Sequence, residues 1–320
     1  MPRPTAATTI QRPDLGVLAY EAMLNPGDFI ADQIFPIFPT DLQTGDYPVI
    51  PIEAFLKNKD TRRAPRGRYA RDDYEFTTGT FACQDHGREE PLDDIEAAMY
   101  RRFFDAEVVA VERAVYKMRL AREVRMAGQI FNAGNVPLVV PAAAPWDLAP
   151  LATPKADVDA AINALRLNRG IMPDTLVLPW DNFKAVLACN ELRNYLQYTS
   201  PHLMETEQAQ LDMLAKYFGV QRVLVGKAIV DVADKGQVAA LNSVWSNQFV
   251  GVFRLAKNNQ DLREPCLGRT FLWTGDSPQM LVTEQYREED IRANIYRVRN
   301  NIDERFVFAG AGCLIFPAHT

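Results

Sequence analysis

Residues Tyr47 to Glu90 form a long strand-patterned stretch, too basic and too thin to build a core, with a helical pattern directly behind it. Tyr47-Pro-Val-Ile-Pro-Ile-Glu-Ala-Phe-Leu56 reads as one strand. Tyr69 to Phe81 reads as the returning strand, with Tyr74, Phe76 and Thr78 on one face. Between them Lys57, Lys59, Arg62, Arg63, Arg66, Arg68 and Arg71 meet only Asp60, Asp72 and Asp73. A two-stranded ribbon standing alone is at best marginally stable in water and needs a surface to lie on. If the chain's own body does not supply that surface, neighbouring copies must. The expected class is a subunit of an assembly, not a self-contained enzyme.

The remaining composition agrees. With 320 residues, 48% of them hydrophobic and 24% charged, the chain suffices for one large or two moderate domains of an ordinary soluble globular protein. A net charge of −6 excludes the chain as a whole from electrostatic nucleic-acid binding. The basic tip at 57–73 is a local exception on an acidic body, which suits contact between identical copies. Cys83, Cys189, Cys266 and Cys313 form no C-x-x-C pair, so a reducing cytoplasm is the expected setting. The first residues carry no apolar run of the secretory kind, and no stretch of about 18 apolar residues suggests a membrane span.

Read along the chain, residues 1–14 are a Pro/Thr-rich arm, Leu15 to Tyr20 suit a short helix, and Phe29 to Phe38 is apolar but broken by Pro36. Pro91-Leu-Asp-Asp opens a single helix of about 36 residues ending near Gly128, with a stripe at Phe104, Val108, Val111, Val115 and Met118 extended by Ile95, Met99 and Phe103. It reads as a spine packed along a sheet. The proline-punctuated residues 134–155 look like a linker and domain boundary. Beyond it the pattern is α/β: helices at Ala156–Asn168, from Asp181 (as cap) to Cys189, and at Glu205–Phe218; strands at Asp174–Trp180, Val220–Gly226 and Val244–Leu255. Strands then follow at Gln279–Tyr286, Ile291–Val298 and Arg305–Phe316, with a turn at Asn300-Asn301-Ile-Asp303.

Chemistry-bearing patterns are sparse. Cys83 and His86 have a ligand-like spacing, but tetrahedral zinc needs four donors and no second pair lies near. Gly219 to Lys227 has six residues between its glycines and Ala228 after the lysine, so it does not fit a phosphate loop. Gly310-Ala-Gly312 lacks the third glycine of a dinucleotide site. The carboxylate groups Asp72-Asp73, Glu89-Glu90, Asp93-Asp94 and Glu288-Glu289-Asp290 read as solvated faces and helix caps. No catalytic, cofactor-binding or metal-ligating set emerges.

The order of parts, namely arm, extended hairpin, spine helix, α/β unit and closing strands, resembles that of tailed-bacteriophage major capsid proteins, a fold shared with encapsulin shells and the herpesvirus capsid floor. The wording of Asp46-Tyr-Pro-Val-Ile-Pro, His86-Gly-Arg-Glu-Glu-Pro-Leu-Asp-Asp, Leu176-Val-Leu-Pro-Trp and Tyr217-Phe-Gly-Val-Gln-Arg-Val-Leu-Val-Gly-Lys-Ala is similar to that family as well. The resemblance implies an α+β fold in five parts: an N-terminal arm (1–46), an extended hairpin loop (47–90), the spine helix with the start of a peripheral domain (91–152), an α/β axial domain (153–264) and closing peripheral strands (265–320). It implies a shell subunit that forms hexamers and pentamers around double-stranded DNA, in a virion assembled in the host cytoplasm. A separate scaffolding protein, a portal and a decoration protein are the implied partners. The loop would lie on a neighbour, with Lys57, Lys59, Arg62, Arg63, Arg66, Arg68 and Arg71 facing acids such as Glu288, Glu289 and Asp290. Some relatives cross-link loop lysines to asparagines, for which Lys57 and Lys59 with Asn300 or Asn301 are the candidates. Two alternatives remain: an encapsulin-like compartment holding a cargo enzyme, and a small-molecule enzyme built on the α/β unit.

Overall fold

Two sheets and one helix running from the first to the second organise the chain. The computed structural model describes residues 10–11, 29–49, 56, 58, 61–63, 65–69, 71, 77–101, 103–197, 206–257 and 261–319. The helix expected at Leu15–Tyr20 lies outside them, as do Tyr74 and Phe76. In chain order the elements that matter first are β1 (Ile10–Gln11), α1 (Ala31–Ile34), β2 (Ile37–Thr40), β3 (Thr44–Val49), β4 (Thr77–Ala82) and β5 (Gln84–Asp93). They are followed by α2 (Asp94–Tyr100), α3 (Ala106–Ile130) and β6 (Val139–Pro141). Next come α4 (Pro154–Arg169), β7 (Thr175–Pro179), α5 (Trp180–Ala188), α6 (Asn190–Gln197), α7 (Glu207–Phe218) and β8 (Arg222–Gly226). The chain continues with β9 (Ile229–Asp231), β10 (Leu241–Ser243), β11 (Val250–Phe253), β12 (Gly268–Trp273), β13 (Val282–Glu288), β14 (Ala293–Phe306) and β15 (Gly312–Phe316).

The larger sheet has the order β1-β13-β14-β12-β2, with β5 also paired to β14. β14 is its axis. At 14 residues it extends about 46 Å, pairing with β5 from Ala293 to Ile302, with β13 up to Arg299 and with β12 from Ile302 onward. The turn expected at Asn300-Asn301-Ile-Asp303 does not exist. Asn300 and Asn301 are buried inside that strand, opposite His86 and Asp85, so cross-strand pairing overrides their turn preference. Residues 84–90 likewise leave the hairpin and join this sheet. β2 runs parallel to β12 at the sheet's edge, the position that tolerates Pro39.

The second sheet, β6-β15-β11-β7-β8, is covered on both faces. Leu176, Leu178, Val223, Val225, Val252 and Ile315 face the core beneath α4, α5 and α7. Val177, Leu224, Phe253 and Leu314 face the C-terminal half of α3 and α1. Alternate residues thus serve opposite layers, which is why these strands read as unbroken apolar runs. β15 belongs here, so the closing segment 265–320 divides between the sheets instead of completing one. The Ala309–Ala311 turn makes the crossing. The apparent linker 134–155 is also fixed: Asp157 on α4 accepts hydrogen bonds from the Ala143 N–H (3.0 Å) and from Nε1 of the fully buried Trp146 (2.9 Å). The α4 and α7 helices end at Gly170 and Gly219, both with positive φ, as the C-terminal stop signals require. Asp181 sits in the first turn of α5 but makes no cap there.

The spine is two helices, not one. Pro91 to Asp93 finish β5, the Asp93 side chain caps α2 through the Ile95 N–H at 2.7 Å, and Asp105 caps α3 through the Glu107 N–H at 3.0 Å. With 25 residues α3 spans about 38 Å. Its first half packs Val111, Val115 and Met118 on Tyr296 and Val298 of the larger sheet; its second half packs Met126 and Ile130 under the smaller one. Between them sits a buried polar knot. Glu123 accepts hydrogen bonds from the N–H groups of Ile30 (3.0 Å) and Ala31 (2.9 Å) and from Trp245 Nε1 (2.7 Å). Arg122 pairs with Asp32 and donates to the Thr270 hydroxyl at 2.8 Å, with Glu304 at 3.6 Å. Burial pushes the Glu123 carboxyl above the usual range against those donors, and pushes the Arg122 guanidinium down to about 10.

Replacing Glu123 by Ala strands three buried donors and should lower the unfolding free energy by about 3 kcal/mol. The control Glu112→Ala, on the exposed face of α3, should change it by less than about 0.5 kcal/mol. Urea unfolding midpoints of the two variants provide the comparison.

Candidate assembly surfaces

The hairpin is rooted in its own chain. β3 and β4 pair from Thr44↔Ala82 to Val49↔Thr77. At the base Phe81 stacks on Phe271 of β12 (centroids 4.4 Å apart), Tyr47 stacks on the same ring at 5.2 Å, and the Tyr47 hydroxyl donates to the Phe306 carbonyl at 3.1 Å. Gly79 has no alternative, because a Cβ there would overlap the Tyr47 ring. Cys83, beside this root, is buried with its Sγ 3.6 Å from the Phe271 carbonyl, and burial pushes its thiol up to about 11. His86 is pushed below its usual value by burial first and by Arg125 second. A thiol and an imidazole so placed are structural parts of a sheet edge, and among the described residues no group of three or more His, Cys, Asp or Glu side chains could hold a metal.

Beyond the root the loop presents charge. Arg62, Arg63, Arg68 and Arg71 are exposed, as is Tyr69, over whose ring the Arg63 guanidinium lies at 4.8 Å. Arg66 is exposed as well, with a φ of +64° in the turn after Pro65. Leu56 rests against Gly170 at the end of α4 yet stays more than half exposed. Lys57 and Lys59 lie outside the described residues. The asparagines considered for cross-linking to them, Asn300 and Asn301, are buried within β14 and offer no accessible amide.

The acids lie at the far end of the larger sheet. Glu288 ends β13, and Glu289 and Asp290 occupy the tight turn to β14, which closes through Arg292 at a φ of +49°. Arg287 forms a two-pronged ion pair with Asp94 at 2.6 and 2.7 Å, and the Asp94 N–H donates to the Arg292 carbonyl at 3.3 Å. These contacts bind α2 to the turn. Among the described residues no ion pair joins Arg63, Arg66, Arg68 or Arg71 to Glu288, Glu289 or Asp290. Of the other clusters, Glu89 and Glu90 point to opposite faces, the first pairing with Arg297 at 2.7 Å and the second with Arg113 and Lys117 on α3.

The sequence reading placed Ile95, Met99 and Phe103 on the buried stripe of the spine. They are 66%, 63% and 82% exposed, and α2 buries no side chain at all. The first helix ends at Tyr100 and the second begins at Ala106, so Ile95 and Met99 belong to a helix separate from the stripe that α3 buries, and Phe103 lies between the two. Tyr100 and Phe104, stacked at 5.1 Å, continue the uncovered surface. Asp105 as a helix cap inside the apparent helix was the one local signal of the break. A second uncovered ribbon, β9 with β10, exposes Ile229, Val232 and Leu241, and Val238 in the turn between them.

No protein-family model matches the chain, and no curated protein does. Solved structures match it end to end. A phage-related protein from Bordetella bronchiseptica superposes with a TM-score of 0.71 at 20% identity, covering 97% of this chain and 98% of that one. A virus-like particle from Pyrococcus furiosus gives 0.56 at 11% identity over 95% and 98%, and the capsid of cyanophage P-SCSP1u gives 0.56 at 10% identity over 91% and 89%. The chain therefore has the tailed-phage capsid fold, as the order of its parts implied.

Hydrogen bonding from Arg287 holds the Asp94 carboxyl below its usual value of about 4, so the α2 clamp is complete above that range and is lost as pH falls through the depressed value. Arg287→Ala should therefore speed amide exchange across residues 96–100 about tenfold at neutral pH while leaving the urea midpoint unchanged. Unaltered exchange would mean that other contacts hold the helix.

Proposed function

We propose that this chain is the major capsid protein of a tailed phage: a structural subunit, without catalytic activity, that assembles as hexamers and pentamers into an icosahedral shell around double-stranded DNA. The single observation that supports this most is the end-to-end likeness to a phage-related protein and to a phage capsid. In this reading residues 1–46 are the arm, 47–90 the extended loop, 91–152 the spine and first part of the peripheral domain, 153–264 the axial domain and 265–320 the closing segment. Contact with packaged DNA is non-specific, and scaffolding, portal and decoration proteins complete the particle. The virion is its destination and the host cytoplasm its place of assembly. Among the described residues no helix is long and apolar enough to cross a membrane.

The loop cations act between copies. Arg62, Arg63, Arg66, Arg68 and Arg71, with Lys57 and Lys59, face Glu288, Glu289 and Asp290 of a neighbour. Exposed pairs of this kind steer association and fix register more than they add affinity, and salt screens them. The shell itself draws on apolar area buried at many interfaces, at about 25 cal/mol per Å².

Electron microscopy of the purified, concentrated protein tests the proposal: closed particles of uniform size are expected, and a monodisperse small oligomer would overturn it. Nucleic acid inside particles from the native source supports a virion, whereas a protein cargo would point to an encapsulin-like compartment. Reversing Arg62, Arg63, Arg66 and Arg68 to Glu should cut particle yield at least tenfold, and undiminished yield would remove these residues from the contact.

A further inference from the structure

One recess gathers buried polar atoms that the described residues leave without hydrogen bonds. It lies where α3, the segment before β2 and β14 meet, beside the Arg122–Glu123 knot, and its walls include Phe29, Asp32, Arg122, Leu281 and Asn300. Three atoms decide its chemistry. Asn300 is 3% exposed, and its Oδ1 accepts no hydrogen bond among the described residues. Pairing with His86 fixes its register on β14, and the alternation of the strand then holds it on the face beneath α3. Asp32 is ion-paired with Arg122, yet its Oδ1 is buried without a well-directed hydrogen bond. The Arg122 Nε–H has only Glu304 near it, at 3.6 Å, which is too long for a hydrogen bond.

Buried polar groups are bonded to protein or to ordered water with few exceptions, so two acceptors and one donor around one recess call for an occupant. The recess measures about 20 Å³, against the roughly 10–15 Å³ that one water needs. We propose that it is a binding site for a single ordered water molecule, which donates to Asn300 Oδ1 and Asp32 Oδ1 and accepts from the Arg122 Nε–H. The count of donors and acceptors fits. Water offers two hydrogens and two lone pairs, and the walls require two hydrogens and one lone pair. Other occupants fit worse. An anion would meet the carboxylates of Asp32 and Glu123, and a metal cation would meet the Arg122 guanidinium. An apolar group would leave all three atoms unpaired. Water also suits either orientation of the Asn300 amide, since it donates to the oxygen or accepts from the nitrogen. Through it β14 gains a polar link to α3 and to the segment before β2, beside the one that Glu304 makes. The site does not depend on how copies assemble.

A structure of the wild-type protein at a resolution that shows ordered solvent tests the site. One solvent peak within hydrogen-bond distance of all three atoms is expected. A recess without a peak, or a peak that does not reach Asn300, would overturn the proposal. Asn300→Leu removes the amide and fills the space, so the peak should vanish while the Arg122–Asp32 pair keeps its place; a retained peak counts against the site. Asn300→Ala makes the same test without added bulk. Loss of the peak, or a second water where the amide stood, supports the site, and a single unmoved peak overturns it. In solution, oxygen-17 relaxation dispersion counts long-lived internal waters, and Asn300→Leu should hold one fewer than wild type. Equal counts would dismiss the bound water.

Discussion

Arg122 and Glu123 are consecutive residues in the second half of α3, and their buried polar contacts tie that helix to the segment before β2, to Trp245 and to the larger sheet. Glu123 gathers the amides of the segment before β2 and the indole of Trp245, which stands under the smaller sheet. Arg122 gathers Asp32 from the same segment, Thr270 from β12 and, with Arg125, Glu304 from β14. Two charges taken out of water gain little net stability over an apolar pair, because desolvation offsets most of their attraction. What they gain is definition. A helix packed only by Val, Met and Ala could slide by a turn against either sheet, whereas directional bonds to three elements allow one placement.

That placement decides what the outer surface presents. With α3 fixed, β5 and α2 are carried to one end of β14, and the hairpin root is set against Phe271 some way along the same sheet. The acidic turn Glu288–Asp290 and the exposed row Ile95 and Met99 therefore share the end of the larger sheet where β5 and α2 meet β14.

Much of this was legible in the residues. The period-3.6 pattern of α4 and α7, the glycines that stop them and the apolar runs of β7 and β8 all signalled the α/β unit, because each is a local cause with a local effect. The basic tip was equally plain. Three features were not. The interruption before Asp105 was hidden because Ile95, Met99 and Phe103 keep helical spacing whether they are covered or not; spacing reports a face, not what lies on it. Asn300 and Asn301 read as a turn, since nothing local reveals that β5 and β13 flank them. The Arg122–Glu123 knot was invisible for the same reason: its partners lie between 87 and 182 positions away. The surfaces could be named from the sequence as charged, but their relation to one another could not.

The seating of β15 bears on how the molecule is made. That strand enters between β6 and β11, with Leu314 opposite Val139, so the interior of the smaller sheet waits for pairings across most of the polypeptide. Such closures are slow because the chain must surrender the freedom of a very large loop before any bond rewards it. The hairpin root and α2 wait on distant partners as well, Phe271 and Phe306 for the one and Arg287 and Arg292 for the other. Until those pairings close, apolar strands stand uncovered, and a chain in that state aggregates as its concentration rises.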